Sequence, residues 1–241
     1  MKEQWNRLAK KIEGKSAFVN DYGSSIAYEE VWHPLSTLQY KHTAVGYFLH
    51  RIFDFYGKVT SFGELPEPFV VDLECFFYFA WGTLDSVGIL LINSLKLDVE
   101  GRHRSFFGAI DNLCGKNTDI RDPVFAKVHT ELLQGWIDQL GKYREYVTHE
   151  GLLMTQAALE WQQGRPLKHQ VCLLPDDPLA KVLTYKKQIE AKDYAEDSMI
   201  NLTGCIRDLL SFLVDKAFSR LVPRHSSERV PMREQEKHFV C

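Results

Sequence analysis

An arginine and a histidine near the end of one predicted helix offer the clearest chemistry in the sequence. Arg144 is followed by four residues and then by His149. Histidine can donate or accept a proton near neutral pH. Arginine is permanently charged and presents a planar fork of donors to phosphate oxygens. The pair suits metal-independent RNA cleavage, in which Arg144 stabilises the phosphate and His149 transfers the proton.

The segment Tyr143–Gly151 reads Tyr-Arg-Glu-Tyr-Val-Thr-His-Glu-Gly, and it resembles the Arg-x(4–6)-His motif of the HEPN superfamily. The run Phe77–Ser86 is similar to the first long helix of HEPN-type bundles, and the resemblance covers roughly residues 68–220. It implies a helical bundle that forms a homodimer. It also implies a metal-independent endoribonuclease of the toxin or defence type, with Arg144 and His149 as catalytic residues.

The residue after the arginine departs from the family pattern, because the family usually has Asn, Asp or His where this chain has Glu145. Glu145 is predicted to support catalysis as a polar group. The basic run that contains Arg102 and Arg104 is predicted to bind substrate, together with Tyr146. The resemblance also implies binding partners, which are RNA or a nucleotide and a cognate antitoxin.

Helix geometry separates the two motif residues. Five positions on a regular α-helix are about 140° apart around the axis, so Arg144 and His149 would not share a face. Either the last turn before Gly151 frays, or a twofold dimer brings two motifs to one cleft. Otherwise, Arg144 is a surface residue bonded to Glu150 or Asp138, and His149 only caps the helix.

Two alternatives to a nuclease stay open. One is a non-catalytic HEPN-like module that binds a nucleotide, RNA or a protein. The other is a helical metal-binding bundle built from His42, His50 and His129, although no two of the nine histidines have three- or four-residue helical spacing. The nuclease needs no metal ion and no cofactor. A net charge of −3 disfavours a protein that wraps along duplex nucleic acid.

The elements that must position these residues are mainly helices. Apolar residues recur at helical spacing over 2–13, 37–56, 68–96, 102–113, 122–149 and 199–221. Residues 152–159 and 169–174 look like strands joined by a turn at 163–166. Residues 14–34 are predicted to be irregular, and 176–178 to open the last helical region. The sequence therefore predicts an all-α helical bundle, HEPN-like, with a small β-hairpin insertion before the last long helix.

The expected organisation has three parts. Residues 1–66 form an N-terminal helical extension, residues 67–222 form the bundle with its hairpin near 152–174, and residues 223–241 form a polar, mobile tail. Many of the aromatic residues lie between 47 and 81 and are expected in the core.

Three features predict a cytoplasmic protein without a membrane segment. The N-terminus is charged and lacks the apolar region of a signal peptide. Five cysteines are scattered without CxxC spacing, which fits a reducing compartment. The most apolar stretch, 69–95, is interrupted by Asp72, Glu74 and Asp85, whereas a membrane span is expected to carry few charges.

Overall fold

The computed structural model describes residues 1–58, 67–115, 120–151, 153–162 and 165–223. Most of the predicted tail, 224–241, lies outside the described residues. The helices are α1 (Lys2–Ile12), α2 (Tyr28–Lys58), α3 (Glu67–Leu95), α4 (Phe106–Gly115), α5 (Pro123–Gln134), α6 (Trp136–His149) and α7 (Ala191–Phe212). The strands are β1 (Ala17–Val19), β2 (Ser25–Ala27), β3 (Gln156–Gln162), β4 (Arg165–Leu174), β5 (Ile189–Glu190) and β6 (Val222–Pro223). The predicted all-α bundle with a small β insertion is confirmed.

The strands form two small antiparallel sheets, ordered β2-β1-β6 and β3-β4-β5. The pair β3–β4 is the predicted hairpin before the last long helix. The first sheet was not predicted, because strands of two or three residues are too short to show an alternating pattern.

Helix α3 forms the centre of the bundle and contacts α2, α4, α6 and α7. Its interior Gly88 allows α4 to approach closely, since a Cβ there would lie 2.5 Å from the Phe106 Cα. The segment Pro68–Leu95 is long and apolar enough to cross a membrane by length and composition alone, with a mean hydropathy of 1.6. However, 61% of the apolar part of this segment is buried inside the bundle. The apolar side chains of α3 therefore pack mainly in the hydrophobic core.

Helix α2 begins nine residues before the predicted 37, within the region that was predicted to be irregular. Glu30 accepts a hydrogen bond from the Ala27 amide at 2.9 Å, an arrangement that caps the first turn. Pro34 lies inside the helix and cannot donate to the Glu30 carbonyl four residues earlier. The Asn93 side chain donates to that carbonyl instead, at 2.7 Å, so the proline is tolerated.

The helix predicted over 122–149 is two helices, α5 and α6, separated at Gly135. Gly135 is extended, with φ −109° and ψ −154°, and a Cβ there would lie 2.8 Å from the Glu131 Cα. The Glu131 carboxylate accepts from the Trp136 amide at 3.4 Å and helps to start α6. The prediction of one helix was wrong because the apolar spacing continues across the break.

The last helical region also begins later than predicted, at Ala191 instead of 176–178. Asp176 does not cap a helix. Its carboxylate accepts from the Thr184 hydroxyl at 2.7 Å and from the amides of Lys186 and Lys187 at 3.0 and 2.9 Å. Side-chain bonds of this kind stabilise a loop in competition with a helix.

Residues on both sides of the predicted 66/67 boundary contribute to one hydrophobic core, which runs from Trp5 to Phe218. The boundary segment 59–66 lies outside the described residues, so the division into extension and bundle stays a prediction. The described cysteines, Cys75, Cys114, Cys172 and Cys205, carry free thiols.

Candidate functional site

Helix α6 stays regular to its end, and this decides how the motif residues are presented. The Thr148 hydroxyl donates to the Arg144 carbonyl at 2.7 Å, and the Glu150 amide donates to the Tyr146 carbonyl at 2.8 Å. Gly151, with φ +116°, then ends the helix. Because the last turn does not fray, Arg144 and His149 project about 140° apart. One copy of α6 therefore does not hold the two side chains on one face.

Arg144 is half-buried on α6, a helix that packs against α3. One turn earlier, Gly141 lies against the Trp81 ring, where an added Cβ would be 2.9 Å from the ring. This close contact brings Arg144 near enough to Asp85 of α3 for its charge to lower the pKa of that carboxyl. The guanidinium acts through space, and no direct ion pair joins it to another of the described residues.

Asp85 accepts a hydrogen bond from the start of α4. The Phe106 amide, at the first residue of that helix, donates to Oδ1 at 3.2 Å. Burial raises the pKa of Asp85 above its usual value, although this hydrogen bond, the charges of Arg144 and Lys41 and the nearby Trp81 side chain oppose the rise. Protonation of Asp85 would leave the two cations uncompensated.

Lys41 of α2 completes this group. Its ammonium donates to the Gly82 carbonyl at 3.0 Å and has two further donors. Lys41 and Asp85 both line a groove between α2 and α3 with a volume of about 580 Å³, which also contains His33 and Asn93. The group formed by Lys41 and Asp85 of this groove and the neighbouring Arg144 is called the cation site below.

The predicted substrate-binding residue Arg104 lies beside Asn93, which lines the other end of the same groove. It donates to the Asn93 side chain at 2.7 Å. Asn93 and Asp85 are eight residues apart on α3, which corresponds to about 12 Å. Arg104 and Arg144 therefore lie beside residues at opposite ends of this groove, although neither arginine lines it. The side chain of Arg102 lies outside the described part of the chain.

The other predicted site residues do not join this groove. Glu145 and His149 are exposed. Tyr146 is partly buried and packs against the core. The pKa of the nearby Tyr185 is raised by burial first and by Tyr146 second. Asp138, one suggested partner of Arg144, is instead bonded to Lys142 at 2.9 Å.

The histidine-based metal site is not formed, since the described residues contain no group of three or more His, Cys, Asp or Glu that could hold a metal ion. His42 bonds to the Thr203 hydroxyl at 3.1 Å, and burial lowers its pKa. His50 is exposed and lies 3.8 Å from Asp54.

Sequence reasoning missed Asp85 and Lys41 as members of the site. The signal for Asp85 was present, because a carboxylate inside a strongly apolar helix is rarely buried without a partner. In the sequence, the charge of Asp85 indicates only that the apolar stretch 69–95 is not a membrane span. Lys41 had no comparable signal, since a lysine on an amphipathic helix is usually solvated.

No protein-family model, curated protein or solved structure matches this chain.

Proposed function

We propose that the chain is a HEPN-like RNA-binding protein that holds an RNA phosphate at the cation site. Arg144 would bind two phosphate oxygens through its planar donor fork, and Lys41 would supply a second charge. The groove continues towards Arg104, so a neighbouring phosphate would meet another cation. Acidic residues of the groove limit this attraction, but Glu30 is already bonded to Lys96 at 2.6 Å.

One observation carries the proposal: Lys41 lines the groove beside the half-buried Asp85 and is bonded, among the described residues, only to the Gly82 carbonyl, at 3.0 Å, while the half-buried Arg144 forms no ion pair with a described residue. Donors that the protein does not use are free to bind an external anion. The Phe106 amide already donates to Asp85, so the side chains of Lys41 and Arg144 would hold the anion. RNA is chosen among phosphate ligands because the segment Tyr143–Gly151 resembles the HEPN motif, and the all-α bundle is compatible with that resemblance.

Metal-independent RNA cleavage in a homodimer is the second candidate. The observation that favours it is the exposed His149 at the end of α6, whose ring is not bonded to any other described residue. A twofold partner could place its His149 beside Arg144 of the first copy, which one chain does not do. Such an enzyme would be expected to require a cognate antitoxin in the cell.

A binding titration tests the phosphate contact that both candidates require. A fluorescent single-stranded RNA is titrated with wild type, Arg144→Gln and the control Arg207→Gln, whose exposed arginine lies on α7 outside the groove. The Arg144 variant should bind roughly tenfold more weakly, because a charge-assisted hydrogen bond contributes about 1.5–3 kcal/mol. Equal affinity of all three proteins would contradict the proposal.

The same samples, incubated with a chelator and separated on a gel, report cleavage. Fragments that disappear with His149→Ala support the nuclease. Intact RNA that stays bound supports the binding module.

A further inference from the structure

A cluster of aromatic rings covers the outer face of α2 and α3. Tyr40 is 67% exposed, Tyr47 57% and Tyr78 55%. Two partly buried rings connect them. The Phe79 centroid lies 6.4 Å from that of Tyr40, 5.7 Å from that of Tyr78 and 5.5 Å from that of Phe48, and Phe48 lies 5.2 Å from Tyr47. These five residues are called the aromatic patch.

The aromatic patch is continuous with the cation site. On α3, Tyr78, Gly82 and Asp85 are separated by four and three residues and therefore form one stripe. On α2, Tyr40 precedes Lys41, whose ammonium contacts the Gly82 carbonyl. Gly82 has no side chain to separate the Tyr78 ring from Lys41. The distance along the axis from Tyr78 to Asp85 is about 10 Å.

The exposure of these rings is not explained by core packing. The sequence placed the aromatic residues in the core, and most between 69 and 81 are buried or partly buried there. Single exposed apolar residues are ordinary, but a contiguous set of exposed rings beside cations that retain further donors indicates a binding surface. Aromatic faces stack on nucleobases of any identity, and neighbouring cations bind the backbone phosphates.

We infer that the aromatic patch stacks the unpaired bases of single-stranded RNA whose phosphate is bound at the cation site. The inference rests on the proposed function, which supplies the phosphate contact. Duplex RNA keeps its bases stacked inside the helix and cannot use the rings. The patch therefore makes the protein select single-stranded RNA, with little preference for sequence.

The test replaces the two rings nearest the cation site. Tyr40→Leu/Tyr78→Leu removes both rings but keeps apolar side chains, and the control Tyr22→Leu removes a 38%-exposed tyrosine outside the patch. Fluorescence anisotropy compares a single-stranded RNA with its own duplex. The double variant should bind the single strand about tenfold more weakly or worse. Its affinity for the duplex should not change, and Tyr22→Leu should match wild type.

Three outcomes would overturn the inference. If Arg144→Gln weakens RNA binding but the double tyrosine variant does not, the stacking is wrong and the proposed function stands. If wild type binds no RNA, both are wrong. If light scattering shows that wild type is a dimer and the double tyrosine variant is a monomer, and both bind RNA with equal affinity, the patch binds a second copy of this chain. Should the double variant fail to fold by circular dichroism, Tyr40→Leu and Tyr78→Leu are measured separately.

Discussion

Burial and the neighbouring positive charges have opposite effects on the pKa of Asp85. Its carboxyl is half-buried between α3 and the start of α4, and burial dominates, so its pKa is raised despite Arg144 and Lys41. The folded state therefore retains a proton to higher pH than the unfolded chain. The free energy of unfolding therefore falls as the pH rises from the Asp85 pKa of the unfolded chain to the higher pKa of the folded state. Above both pKa values, the full cost of the buried charge is present.

Replacing Asp85 with Asn should therefore raise the melting temperature at neutral pH. The amide oxygen still accepts from the Phe106 amide, while the poorly solvated charge is gone. The advantage over wild type should shrink as pH falls through the raised pKa and should vanish below the unfolded value. Thermal unfolding of wild type and Asp85→Asn from acid to neutral pH measures this difference in melting temperature. Asp111→Asn, at an exposed aspartate, is the control. A pH-independent difference would contradict this origin.

At the scale of elements, two interior helical glycines have opposite environments. A Cβ at Gly88 of α3 would lie 2.5 Å from backbone atoms of Phe106, whereas a Cβ at Gly204 of α7 would meet no atom within 4 Å. Gly88 is required by the packing of α4. Gly204 only lowers the helix propensity of α7.

Gly88→Ala should thus destabilise the protein by about 1–3 kcal/mol or more, because backbone must move apart. Gly204→Ala should stabilise it by about 0.5–1 kcal/mol, since alanine is the better helix former. Denaturant unfolding of both variants gives the two free energies. Equal shifts in the same direction would show that the approach of α4 to α3 is not as described.

Apolar periodicity predicted most of the helices because their buried faces repeat at helical spacing. It failed where a side chain or a backbone angle decides the structure. Gly135 breaks α5 from α6, Pro34 is accommodated by Asn93, and Asp176 stabilises a loop where a helix start was expected. None of these changes the pattern of apolar residues.

The candidate site was less predictable than the fold. The motif identified Arg144, but its neighbours Lys41 and Asp85 are 103 and 59 positions away along the chain. Their proximity depends on how α2 and α6 pack against α3, which no local pattern encodes. The exposure of Tyr40, Tyr47 and Tyr78 is likewise a property of packing, because tyrosine is common in cores and on surfaces.

At the scale of the whole molecule, the two ends of the described chain are joined. The Lys11 ammonium donates to the carbonyls of Val214 and Phe218 at 2.8 and 2.7 Å, and Asp21 accepts from the Ser219 amide at 2.7 Å. The strand pair β1–β6 connects the same regions. These contacts join the N-terminal helix and the first strand to the end of the last helical region.

The salt dependence of RNA binding tests the central claim most directly. Each phosphate contact with a single strand contributes about 0.7 to the slope of log affinity against log salt concentration. Lys41→Gln/Arg144→Gln should therefore lower that slope by about 1.4, while Arg207→Gln leaves it unchanged. A double variant with the wild-type slope and affinity would show that these cations do not bind phosphate.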